Sequence, residues 1–105
     1  MDLSLGKIKR IQAVHIIFGG DERLLQFFFH QNGPHLRYTP AETLSFGKEF
    51  SLNDFIMIQI ALELMGTKNS FLLKSIFDLD DEYFINALNG FLYLKEISMQ
   101  LSDIC

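Results

Sequence analysis

Between residues 80 and 101 the polar residues Glu82, Asn86, Asn89, Tyr93, Glu96 and Gln100 recur at steps of four, three, four, three and four. That spacing returns each time to one side of an α-helix. At 100° per residue the polar stripe covers only about 80° of the circumference. Phe84, Ala87, Leu88, Phe91 and Leu94 lie opposite, and Tyr83, Ile85, Leu92, Ile97, Met99 and Leu101 carry the apolar band around the flanks. Asp80 and Asp81 fall in the first turn, where the helix dipole favours acids. Gly90 weakens a helix by ~1 kcal/mol relative to alanine, but the stripe stays in phase across it, so one helix is read over about 80 to 101.

The chain upstream is read the same way. Ser51 and Asn53 are caps for a helix through Met65, stopped by Gly66 and the polar turn Thr67 to Asn69. Asp54 lies in its first turn, and Gln59 and Glu63 form its narrow polar strip; alternation of Ile56, Ile58, Ile60, Leu62 and Leu64 leaves a buried strand as the rival reading. A short helix, Ser70 to Phe77, leads through Asp78-Leu79-Asp80 to the long one.

The first half reads differently. Residues 7–18, rich in β-branched side chains and ending at Gly19-Gly20-Asp21, suggest a strand running into a turn. Residues 23–29 suit the returning strand, or else a helix capped by Asp21 and stopped near Asn32-Gly33, since Leu24 and Phe28, and Leu25 and Phe29, are each four apart. A turn at Asn32-Gly33-Pro34 precedes a short third strand, His35 to Tyr38. Thr39-Pro40-Ala41-Glu42 matches a capping box, with a brief helix to Phe46 ended by Gly47.

At 105 residues the chain fits a single domain, 1–105, with 1–50 mainly strand and loop and 51–105 mainly helical. The expected fold class is α+β: an N-terminal β-hairpin or short antiparallel meander packed on a C-terminal three-helix, helix-turn-helix-like unit. Residues 1–50 hold six basic and five acidic side chains and residues 51–105 three and eight, so the halves carry +1 and −5, summing to −4. An acidic half disfavours nucleic acid, whose phosphates call for clustered cations. The lone Cys105 permits no intrachain disulfide, no small-residue cleavage site follows Met1 to Arg10, and no window reaches the length of a membrane span, so a cytoplasmic location is expected.

Four constellations bear on chemistry. Phe18-Gly19-Gly20-Asp21-Glu22 resembles the signature of diguanylate cyclases, which implies a turn between two strands approaching a nucleotide, with the acids holding metal. Arg23 stands where that signature has phenylalanine, only eighteen residues precede the turn, and a glycine-rich hairpin turn accounts for the same residues. His15, His30 and His35 lack the spacing of an established metal site. Asp78, Asp80, Asp81 and Glu82 suggest a calcium loop, but its sixth position, a glycine in such loops, is Tyr83 here; helix capping explains the acids. Residues 51–97 resemble tri-helical helix-turn-helix domains in element order, but the stripe that would meet DNA carries Glu82 and Glu96 beside Asn86 and Asn89.

No catalytic residue, cofactor site or metal ligand set is assigned. The expected function is a small protein-interaction module such as an adaptor, inhibitor or subunit. Its partner is another protein or itself, as a homodimer joined through the C-terminal helices. The interface residues are Ile85, Leu92 and Met99, on one flank at steps of seven. A DNA-binding regulator is the first alternative and an enzyme without a recognisable motif the second.

Overall fold

A computed structural model describes the backbone of residues 5–67 and 73–104 and the side chains of residues 6–67 and 73–95. Among these every regular element is a helix: α1 (Leu5–Ile17), α2 (Glu22–Phe28), α3 (Pro40–Gly47), α4 (Leu52–Leu64), a 3-10 helix (Leu73–Asp78) and α5 (Asp81–Ile104). The expected α+β architecture is therefore corrected. No hairpin or meander is present among the described residues, and the one antiparallel bridge, Phe29 with Leu36, is isolated.

The segment read as a first strand is α1, and burial shows why. Ile11, Val14 and Phe18, with Ala13 and Ile17, are buried at steps of three and four, which is one helix face. Packing of that face outweighs the strand preference of its isoleucines, which is weak by comparison. Gly19 and Gly20 adopt φ of 62° and 74°, a left-handed region that glycine enters without steric cost, so the turn joins two helices rather than two strands. Asp21 caps α2, its carboxylate accepting from the amides of Arg23 (2.9 Å) and Leu24 (3.4 Å). The helical alternative for 23–29 holds and the returning strand does not.

The later elements follow their caps. Thr39 and Glu42 close a reciprocal capping box at α3, each at 3.1 Å, and Ser51 Oγ accepts from the Asp54 amide at 3.1 Å. Helix α4 is buried nearly all round at Ile56, Met57, Ile58, Ile60, Ala61 and Leu62, as expected of a central helix. It packs against α1, α3, α5 and the 3-10 helix. The turn after it begins at Gly66, φ 88°; Asn69 and Ser70 lie outside the described residues. The short helix before α5 is a 3-10 helix.

Helices α1 and α5 pair antiparallel: Lys9 meets Tyr93, Ala13 and Ile17 meet Gly90, and Gly19 meets Asn86. A Cβ added at Gly90 would lie 2.5 Å from Ile17 Cγ1 and 3.2 Å from the Ala13 carbonyl oxygen. Gly90 and the buried Ala87 thus let two backbones approach.

Candidate functional site

The face of α5 turned to solvent is not the polar stripe alone: Glu82 and Asn89 are exposed, but Asn86 and Tyr93 are half-buried. Tyr93 donates to Gln12 Oε1 and accepts from Lys9 Nζ at 3.1 Å, and half-buried Asn86 lies against Gly19. Two members of the stripe therefore lie on the α1 side, Tyr93 with its hydroxyl bonded to α1 side chains. The apolar exposed side is rotated from the stripe by about 90° at 100° per residue, and it is centred on Ile85 (54% exposed), Leu88 (41%) and Leu92 (52%). Leu88, whose place opposite the polar stripe with Phe84 and Phe91 predicts burial in the core, lies on this surface instead; Phe84 and Phe91 do pack against the core.

Of the three residues expected at an interface, Ile85 and Leu92 share this face, and the Met99 side chain lies outside the described residues. The face is bordered by the 3-10 helix, where Leu73 and Phe77 are 72% and 78% exposed and the Phe77 ring lies 6.2 Å from that of Phe84. Among the large apolar residues of helix α4, Leu52 is exposed and the rest are buried or half-buried. Asp81 sits at one end of the α5 face and Lys95 at the other, both exposed. The steps 81, 85, 88, 92, 95 alternate four and three, the spacing of a helix-pairing seam.

The acids singled out in the sequence serve the joints between helices. Arg23 bridges Asp21 (3.3 Å) and the buried Asp54 (2.7 Å), and its guanidinium lies 5.1 Å from the Phe50 ring centre. Asp54 Oδ1 is buried without a partner among the described residues. The Asp54 hydrogen bond holds Arg23 above its ordinary pKa. The Asp54 charge, followed by burial and then Glu82, raises the Tyr83 phenol. Asn53 and Asp80 exchange two bonds, Asn53 Nδ2 to Asp80 Oδ2 at 2.9 Å and the Asp80 amide to Asn53 Oδ1 at 3.0 Å. The starts of α2, α4 and α5 are thereby tied together. Asp21 is occupied by its cap and Arg23, not arranged as in the cyclase signature, and Asp80 accepts from Asn53 through its carboxylate and from the Phe84 amide through its carbonyl.

A groove of about 570 Å³ opens between α1, α2 and the following loop, lined by Ile11, Leu25 and Phe29 below and by His15, His30 and Arg37 among its polar groups. His15 stacks on Phe29 at 5.6 Å and His30 on His35 at 4.9 Å. Sequence alone does not bring these residues together, because the strand pattern of 7–18 hides the helix that carries Ile11 and His15. Among the described residues no three His, Cys, Asp or Glu side chains are placed to hold a metal ion, and no helix is long and apolar enough to cross a membrane. No family model matches the chain, and no curated protein or solved structure matches it significantly.

Proposed function

We propose that this chain is a small protein-interaction module that self-associates through the exposed face of α5. The observation that carries the reading is the line Ile85, Leu88 and Leu92, each more than two-fifths exposed and spaced by three and four on the longest helix. A regular apolar seam of that spacing is complementary to another helix. A second copy supplies one, and twofold pairing is the commonest closed arrangement.

The charges at its ends favour an antiparallel pair. Centred near Leu88, such a pair sets Ile85 against Leu92 and Asp81 of one copy against Lys95 of the other. Parallel pairing would instead set like charges side by side. The acidic start of α5 and its apolar exposed face offer little to phosphates, so DNA binding has no comparable support.

Light scattering should give the mass of a dimer. Leu92→Glu should give a monomer with unchanged far-ultraviolet circular dichroism, because a charge buried without a partner is strongly unfavourable at the seam and tolerated in water. A wild-type monomer at high concentration, or a folded Leu92→Glu dimer, overturns the reading.

A further inference from the structure

We propose that the groove between α1, α2 and the 30–37 loop binds a small organic monoanion, a carboxylate carried on a flat aromatic ring. Its volume of about 570 Å³ falls within the roughly 300–1,000 Å³ of small-ligand pockets. The lining divides as such pockets do, with Ile11, Leu25 and Phe29 forming an apolar floor and His15, Gln26 and Arg37 supplying polar groups. A flat ring has a stacking partner in the exposed His15 ring, which already lies on the buried Phe29 with the two planes within 17° of each other.

The charge of the occupant follows from Arg37. No acidic side chain lines the groove, and among the described residues Arg37 forms no ion pair. Its Nη1 donates to the Gln26 carbonyl at 3.1 Å, and its guanidinium lies 5.4 Å from the Tyr38 ring centre. These contacts leave most of its five N–H donors for a planar carboxylate, which the guanidinium fork fits in bidentate fashion. The position is held from below, since the Arg37 amide donates to the Phe28 carbonyl at 3.0 Å and the His30 amide to the His35 carbonyl at 2.7 Å. His30 is oriented too: the Asn32 amide donates to its Nδ1 at 3.0 Å, which leaves Nε2–H as the donor of the neutral ring. One permanent positive charge suits a monoanion better than a phosphate dianion.

The test is an amide-resolved NMR titration of the full chain with 2-naphthoate, with neutral 2-naphthamide and inorganic phosphate as comparison ligands. Saturable shifts at Ile11, Gln26, His30 and Arg37, with a dissociation constant below about 1 mM, are expected for naphthoate. Naphthamide, phosphate and the Arg37→Gln variant should each bind about tenfold more weakly or worse, the scale of one lost charge-assisted hydrogen bond. Gln31→Trp, which fills the mouth from an exposed loop position, should abolish binding and decides the matter if Arg37→Gln unfolds. The proposal is overturned by an absence of saturable shifts, by shifts centred on α5, by equal binding of the amide or phosphate, or by undiminished binding in a folded variant.

Discussion

Gly90 sets two tendencies against each other at a single position. Alanine would improve the helix by ~1 kcal/mol, yet its Cβ would press on Ile17, which is wholly buried, and on the Ala13 carbonyl. Overpacking of that kind costs ~1–3 kcal/mol, so Gly90→Ala should lower stability by about 1 kcal/mol in urea unfolding, opposite in sign to the propensity change. Tyr83 gives a second residue-level test. Its phenol is raised chiefly by Asp54, then by burial, so the folded chain binds that proton more tightly than the unfolded chain, whose tyrosines titrate near ~10. The associated stability is fully present below that value and is lost as pH rises through it toward the folded pKa. Ultraviolet titration of phenolate should show a late component that Tyr83→Phe removes.

Arg23 shows how one side chain serves several elements, since it joins the cap of α2 to the buried first-turn acid of α4. Removing it leaves Asp54 buried and uncompensated. A buried pair broken this way costs about 3–5 kcal/mol, reduced here because Arg23 is more than half exposed, so Arg23→Met should cost ~1–3 kcal/mol in chemical denaturation. Adding Asp54→Asn should recover part of the loss, because the orphaned charge goes with it. Elements with their own caps were legible in the sequence: Thr39 and Glu42 announce α3, Ser51 announces α4, and the 80–101 stripe announces α5. Helix α1 was not, because its β-branched content mimics a strand, while its helical burial at Ile11, Val14 and Phe18 depends on α5 and α4 being in place. The facing of α5 was misread for a related reason. Asn86 and Tyr93 look like solvent residues until Gly19, Gln12 and Lys9 are brought beside them, and Gly90 reads only as a weak point in the helix until Ile17 and Ala13 are seen against it.

At the level of the molecule, the face on α5 and the groove beside α2 use different residues, so the proposed dimerisation and the proposed ligand binding are separable by mutation. Antiparallel pairing makes a specific demand: Lys95→Asp should shift the equilibrium toward monomer, and combining it with Asp81→Lys should restore the dimer, because opposite charges face each other again across the seam. The melting temperature of the wild type should rise with concentration, as it does whenever association favours the folded state. The pairing of α1 with α5 also bears on how the chain is made. Lys9 and Tyr93 are separated by 84 positions, so α1 is synthesised well before α5 and meets it only when α5 has emerged. Until then Val14, Ile17 and Phe18 have no α5 to cover them. The N-terminal segment therefore travels through synthesis as an apolar surface awaiting closure of a long loop, a costly step in chain entropy. Ribosome-bound chains halted before Gly90 are the species that chaperones should hold most strongly.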